Sequence, residues 1–166
     1  MAKKPAKTTS RSRSPKQAKP APISGSPKPV LTGKGPTPAQ LGSALVQDFN
    51  RGKFGLDAKW SPALVSVEGS MGSQPGMAWK GRKSVDAKND WWNKRHVIRG
   101  AAAEGPFVGA TGFAVKFRME IEERATKQRT IMEEIGVYTV QNGKIVREEF
   151  MYGSMTPVAA PSAPAH

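Results

Sequence analysis

The sequence predicts an α+β fold in which helices from the first half of the chain pack against an antiparallel sheet from the second half. Amphipathic helical periodicity occurs at residues 37–52 and 81–97. From residue 98 onward, apolar and polar residues alternate with a period of two, which is typical of strands with one buried face. At 166 residues, the chain has the length of one ordinary domain. We therefore expect a single core.

Charge and proline content divide the chain into three parts. Residues 1–36 contain nine Lys or Arg, seven prolines and no acid, whereas the remainder has 17 basic against 13 acidic residues. Such a segment buries too little apolar surface to offset its ordering entropy. We predict a disordered basic arm at 1–36, a folded domain at 37–154 and a disordered Pro/Ala tail at 155–166.

The basic arm has two interpretations, as a weak binder of nucleic acid or another polyanion, or as a solubilising tail. Its affinity for a polyanion would fall steeply with salt, but it lacks aromatic residues for base stacking. The side chains assigned to polyanion binding are Lys3, Lys4, Lys7, Arg11, Arg13, Lys16 and Lys19.

Three helices are predicted before the sheet. The first begins at Thr37, which can form a capping box with Gln40, and its apolar residues recur every three to four positions until Gly52. Residues 54–60 are predicted to form a further short helical turn. Residues 63–70 are expected to form a strand, after which the chain is rich in Gly, Ser and Met and reads as a loop.

The third helix is predicted at residues 81–97, with Ser84 as its cap. It carries Trp91 and Trp92 and ends near His96. The strands that follow include residues 113–123, where five large apolar residues alternate with polar ones.

The last two strands are joined by a predicted hairpin. Asn142 and Gly143 lie between residues 129–140 and 145–153, and an Asn-Gly pair is favoured in a two-residue turn. The strand before the turn is apolar on both faces, which indicates that both faces are covered.

Composition excludes several classes of site. The chain has no cysteine and two histidines, so disulfides, thiolate catalysis and cysteine-ligated zinc are excluded. No phosphate-binding loop, dinucleotide fingerprint or metal-ligand cluster occurs, and we expect neither cofactor nor metal. Without an apolar run of membrane-spanning length or a secretory signal, a cytoplasmic location is expected.

Residues 40–153 resemble the SnoaL-like branch of the nuclear transport factor 2 superfamily. The matching segments are "ALVQDFNRGKF", "LVSVEG", "GRKSVDAKNDWWNKRH", "AEGPFV" and "FAVKFRMEIEERATKQRTIMEEIGVYTVQNGKIVREEFMYG". The resemblance implies a cone-shaped fold, in which a strongly curved antiparallel sheet wraps the three helices and leaves an apolar pocket. It also implies a homodimer formed through the outer sheet face. Relatives include polyketide cyclases, ketosteroid isomerases, dehydratases and proteins without catalytic activity.

Strand alternation separates the members of the two carboxylate pairs before and after the hairpin. Glu134 is the preferred pocket acid because it shares a face with Tyr138, whose hydroxyl could polarise a carbonyl group. The hairpin would place Glu148 on that face, whereas another register would present Glu133 and Glu149 instead. The alternative for each Glu is an ordinary cross-strand ion pair. The possible basic partners are Lys116, Arg118, Arg129 and Arg147.

The remaining candidates are less specific. His96 could act as a general base, or it could cap or pack at the helix end. Glu68 and Glu104 lie near strand ends and are interpreted as surface groups. The residues assigned to the pocket wall are Trp91, Trp92, Phe117, Phe150 and Tyr152.

The cyclase and isomerase relatives use a pocket aspartate as acid and base, and this sequence offers no match. All four candidates fall on predicted helices with exposed faces, namely Asp48, Asp57, Asp86 and Asp90.

Two functions from different classes remain. The first is a pocket for a small apolar or carbonyl-containing molecule, serving binding alone or a cofactor-free isomerisation, cyclisation or dehydration. The second is a noncatalytic dimeric module that the basic arm tethers to nucleic acid or another polyanion.

Overall fold

A computed structural model describes residues 35–71 and 74–159, which form two helices and one six-stranded sheet. The elements are α1 (Pro38–Asn50), β1 (Trp60–Glu68), β2 (Met77–Lys80), α2 (Arg82–Arg95), β3 (His96–Val108), β4 (Gly112–Glu123), β5 (Arg129–Gln141) and β6 (Lys144–Pro157). Neither helix is long and apolar enough to cross a bilayer.

Helix α1 begins as the sequence predicts. The Thr37 hydroxyl accepts a hydrogen bond from the backbone N–H of Gln40, whose side chain accepts one from the Thr37 N–H. This capping box satisfies two backbone donors that lack helical partners. Leu41 and Leu45 turn the buried face of α1 toward the sheet, and Gly42 lets the helix approach the Phe113 ring closely.

The strands are arranged in the order β2-β1-β6-β5-β4-β3. Neighbours are antiparallel except β1 and β6, which run parallel, with Val65 opposite Arg147 and Glu68 opposite Phe150. The hairpin between β5 and β6 turns at Asn142 and Gly143, which both have positive φ angles of 49° and 70°. The predicted Asn-Gly turn is therefore confirmed.

The prediction of three helices is not confirmed, because the described residues contain two. Residues 54–59 form a bend and a turn that lead into β1 at Trp60. The guanidinium of Arg82 donates to the carbonyl oxygens of Leu56 and Asp57 at 2.6 and 2.8 Å. The Leu56 carbonyl thus bonds to a residue in α2, and the Asp57 carbonyl accepts both from Arg82 and, at 3.3 Å, from the backbone N–H of Trp60 in a single turn.

Three boundaries also differ from the predictions. The loop predicted at 69–81 contains β2, which pairs with the end of β1. Helix α2 begins at Arg82 after Gly81, whose φ of 83° suits glycine, and Ser84 lies within its first turn. The predicted tail at 155–166 begins inside β6, which continues to Pro157.

Most of the core lies between the inner face of the sheet and α1. Its fully buried members include Leu64, Val115 and Ile145. A second, smaller cluster contains Met119, Ile121 and Met132, with Trp92 packed against it. A large cavity lies beside both clusters.

Candidate functional site

The cavity has a volume of about 1250 Å³ and opens between the two helices and the inner face of the sheet. Every residue that the sequence assigned to catalysis or to the pocket wall lines it. These residues are His96, Trp91, Trp92, Phe117, Glu134, Tyr138, Phe150 and Tyr152.

Strand register determines which acid of each pair faces the cavity. On β5 and β6, Tyr138 lies opposite Glu148 and Glu134 lies opposite Tyr152. This is the register in which Glu134 and Glu148 share the inner face. The pairing that would have presented Glu133 and Glu149 does not occur.

Glu133 forms the cross-strand ion pairs that were the alternative interpretation, whereas Glu149 pairs with a base on its own strand. Glu133 lies 3.9 Å from both Lys116 and Arg118, and its side chain is 34% exposed. Glu149 binds Arg147 at 2.8 Å. Alternation along the strands thus separates buried acids from surface acids.

Glu134 is the least compensated carboxyl of the cavity. Its residue is 9% exposed, and no side chain among residues 35–71 and 74–159 donates a hydrogen bond to it. Burial away from water raises the pKa of Glu134 to about 7, and the neighbouring carboxylates of Glu68 and Glu148 add to the rise, whereas Lys88 opposes it. At neutral pH the group can therefore both accept and donate a proton.

Glu148 lines the cavity and is 4% exposed. The indole Nε1 of Trp60 donates to its Oε2 at 3.0 Å, and the fully buried Ser66 is a second hydrogen-bond partner. Burial raises the pKa of Glu148, whereas these hydrogen bonds and Lys88 oppose the rise. A buried carboxyl with two partners is held in one orientation.

Lys88 is the cation of this cluster and reaches it from α2. Its ammonium group forms an ion pair with Glu68 and lies 3.2 Å from the Ser66 hydroxyl. It also lies 5.4 Å from the ring centres of both Trp79 and Phe150, a distance at which aromatic faces attract cations. One ammonium group thus faces three carboxyl groups.

Two tyrosines bring hydroxyl groups to the same region. Burial raises the pKa of Tyr138 well above its usual value, and nearby Glu148 and Glu134 add to this effect, so the hydroxyl stays protonated. A Cβ at Gly136 would lie 2.8 Å from the Tyr138 hydroxyl oxygen and 2.9 Å from the Phe117 ring. Because Gly136 has no Cβ, the Tyr138 ring can lie over it, along β5 in the direction of Glu134. Tyr152 donates its own hydrogen bond to Glu68.

His96 lies in the same cavity but far from Glu134. On β4, His96 is opposite Glu123 and Glu134 is opposite Phe117, six positions away, which is roughly 20 Å along a strand. The His96 ring packs on Trp92 with centroids 4.7 Å apart, and its Nδ1 lies 3.1 Å from the Trp92 carbonyl oxygen. This is the packing role that was the alternative for His96. Trp91 is 53% exposed at the rim.

Sequence reasoning missed part of the cluster. Glu68 was interpreted as a surface group, but its side chain is 18% exposed and binds Lys88 and Tyr152 inside the cavity. Lys88 itself was not singled out. The sequence did contain two signals of this cluster. Lys88 lies on the inner face of a helix, and Glu68 is the last residue of an apolar strand. Glu104 is exposed, as expected.

The aspartates were also partly misplaced. Asp57 lies in a turn, not a helix, and both Asp57 and Asp48 line the cavity, where Lys59 binds both. Asp86 and Asp90 are exposed on α2. Because Lys59 already compensates both cavity aspartates, Glu134 remains the carboxyl available for chemistry.

Two further predictions concern metal binding and the basic arm. No cluster of three or more His, Asp or Glu side chains suited to a metal ion occurs within residues 35–71 and 74–159. The basic arm, including Lys3 to Lys19, lies outside the described residues.

Comparison with known proteins agrees with the fold. A candidate SnoaL-like polyketide cyclase from Mesorhizobium loti, also described as a carbohydrate phosphatase, superposes with a TM-score of 0.61. The two chains are 30% identical, and the superposition covers 70% of this chain and 99% of that one. Candidate polyketide cyclases share the fold in Pseudomonas putida (TM-score 0.53, 17% identity, 72% and 93% of the chains) and in Jannaschia (0.54, 14%, 72% and 91%).

Proteins with curated functions give no significant match. The family model described as the SnoaL-like domain matches residues 57–152, which is more than half of the chain and includes Glu68, Lys88, Glu134 and Glu148. With the same fold shared across these structures, the chain belongs to the SnoaL-like domain family.

Proposed function

We propose that this protein catalyses a cofactor-free proton transfer at a carbon atom next to a carbonyl group, in an isomerisation, cyclisation or dehydration of an apolar substrate. The observation that carries the proposal is Glu134, a buried carboxyl that faces an apolar cavity without a hydrogen-bond donor among the described residues. The polyketide cyclase descriptions of the relatives support the same reaction class.

In the proposed reaction, ionised Glu134 accepts the proton from the carbon and the C–H electron pair forms the C=C bond of an enolate. The Tyr138 hydroxyl, which stays protonated, donates a hydrogen bond to the enolate oxygen. Protonated Glu134 then delivers the proton to a different carbon in an isomerisation, to the alkoxide oxygen left when the enolate carbon bonds to a second carbonyl carbon in a cyclisation, or to the departing β-hydroxyl group, which leaves as water, in a dehydration. The electron count is unchanged, so no oxidant or reductant is needed.

The other cavity groups act on Glu134 through charge and position. Lys88 limits the rise of the Glu134 pKa, which keeps part of the population ionised at neutral pH. Glu148 and Glu68 act in the opposite direction. A base whose pKa lies near the working pH combines availability with strength.

The test uses ketones and β,γ-unsaturated ketones in deuterated water, with exchange and isomerisation followed by proton NMR. We expect Glu134→Gln to lower the rate at least roughly a hundredfold, the usual minimum contribution of a general base. Glu133→Gln is the matched control, because Glu133 precedes it on the outer face. Equal rates for both variants would remove Glu134 from the mechanism.

A homodimer through the outer sheet face is proposed from exposed apolar residues on two adjacent strands. Ile135 and Met151 are paired across β5 and β6 and are 43% and 49% exposed, with Val137 beside them at 38%. Such a patch is usual at protein interfaces. Ile135→Glu should convert a dimer to a monomer in sedimentation velocity, and an unchanged mass would refute this interface.

The second candidate function is a binding module tethered to nucleic acid or another polyanion. It is favoured by the concentration of nine bases without an acid in residues 1–36. This function does not require catalysis by Glu134. It would be favoured if removal of residues 1–34 abolished polyanion binding and if no proton-transfer activity were found in the cavity.

A further inference from the structure

The cavity differs in chemistry along its length. Two residues beyond Glu134, on the same face of β5, lies Met132. Register places Met119 of β4 on one side of it and Met155 of β6 on the other. These three residues, called here the methionine row, all line the cavity.

The methionine row begins roughly 7 Å from the Glu134 row, since two strand residues advance by that distance. Beyond it lie Ile98 and Ile121, which are paired across β3 and β4 and line the same cavity. None of these side chains carries a charge. The sheet wall is therefore apolar from the methionine row to this isoleucine pair, and the polar ring of His96 follows two residues farther along β3.

Methionine is suited to an apolar ligand of variable shape. Its side chain is unbranched, has three rotatable bonds and contains a polarisable sulfur, so it adapts to irregular surfaces. Met119 and Met132 are 7% and 6% exposed, whereas Met155 is 46% exposed at the end of the row. Such a surface fits a flexible chain.

The polar part of the cavity carries a surplus of acids. Glu134 is faced by Glu68 from β1, Glu148 from β6 and Lys88 from α2, together with the hydroxyl groups of Tyr138 and Tyr152. Three carboxyls against one ammonium give this region a net negative charge when all of them are ionised. A ligand with an anionic head would meet repulsion in a poorly solvated space.

We propose that the cavity takes an uncharged carbonyl compound with a flexible apolar chain, its carbonyl group beside Glu134 and its chain along the methionine row. The inference rests on the proposed function for the position of the carbonyl group. The lack of charge on the ligand is inferred from the surplus of acids at one end of the cavity. The flexible apolar chain is inferred from the methionine row at the other end.

Binding of three probes at about pH 8.5 tests the ligand class. The probes are methyl nonyl ketone, methyl propyl ketone and decanoate, and binding is read from the fluorescence of the cavity tryptophans and by calorimetry. The long ketone should bind at least roughly a hundredfold more tightly than the short one, because six methylene groups are buried. It should bind at least roughly tenfold more tightly than decanoate.

Two variants locate the chain. Met155→Trp adds bulk at the exposed end of the methionine row and should reduce the advantage of the long ketone at least roughly tenfold. Thr156→Trp is the matched control, because Thr156 is exposed, follows Met155 on the opposite face of the same strand and lies outside the proposed dimer patch. Both sites are exposed, so both variants are expected to fold.

Equal affinity for decanoate and the long ketone, no dependence on chain length, or identical effects of Met155→Trp and Thr156→Trp would each overturn the inference. Binding requires no turnover. Chain-dependent binding with no effect of Glu134→Gln on exchange would refute the proposed function alone, and Glu134-dependent exchange without chain dependence would refute this inference alone.

Discussion

Replacing Glu134 by Gln should stabilise the folded protein, and only above acidic pH. The pKa of Glu134 rises from 4.5 to about 7 on folding, mainly through burial. Below pH 4.5 the carboxyl is protonated in both states, so burial costs little. Between pH 4.5 and 7 only the unfolded state releases the proton, and folded stability falls by about 1.4 kcal/mol per pH unit.

The total loss is about 3 kcal/mol once the pH exceeds 7, because that is the free energy equivalent of this pKa rise. Glutamine has nearly the same shape and does not ionise, so Glu134→Gln avoids the loss. The difference in the free energy of unfolding between the variant and the wild type should therefore grow by about 3 kcal/mol from pH 4.5 to pH 8.5.

Urea denaturation at both pH values measures this difference, with Glu133→Gln on the outer face as the control for loss of one carboxylate. If the variant and the wild type differ in the free energy of unfolding by the same amount at both pH values, Glu134 is not buried without a compensating partner. The same variant should lose the proposed activity. Glu134 is therefore expected to lower the stability of the folded protein while it supports catalysis.

Lys88→Met should raise the pKa of Glu134 further, seen as a higher titration midpoint in carbon NMR, and should cost about 3 kcal/mol by leaving Glu68 unpaired; exposed Lys80→Met should do neither. Gly136→Ala should cost about 1–3 kcal/mol in the free energy of unfolding, because a Cβ would overlap the rings of Tyr138 and Phe117. Gly100→Ala is its control, since the nearest atom to that Cβ is 3.9 Å away, and equal costs would refute the overlap. Removing residues 1–34 should lower the salt concentration needed to elute the protein from heparin, and unchanged elution would assign polyanion binding to the domain instead.

Local features were predictable because their causes lie within a few residues. The capping box at Thr37 and Gln40 and the Asn-Gly turn each depend on a short segment. The inward position of Glu134 followed from alternation along one strand and the length of one hairpin. These elements required no knowledge of the rest of the chain.

The acid cluster was less predictable because distant segments form it. Glu68 was assigned to the surface because sequence could not indicate that Lys88, 20 residues later, would reach it, or that Tyr152, 84 residues later, would donate to it. The helix predicted at 54–60 failed for a similar reason. Arg82 binds the carbonyl groups of that segment from another element.

The parallel pairing of β1 with β6 has a consequence for the order of folding. It joins Val65 to Arg147, roughly 80 residues apart, so β1 gains its central neighbour only after nearly the whole domain has been synthesised. Glu68 on β1 and Glu148 on β6 are brought together by that same step. The carboxylates of Glu68 and Glu148 therefore repel each other when β1 pairs with β6. This pairing should form faster under mildly acidic conditions than under alkaline ones.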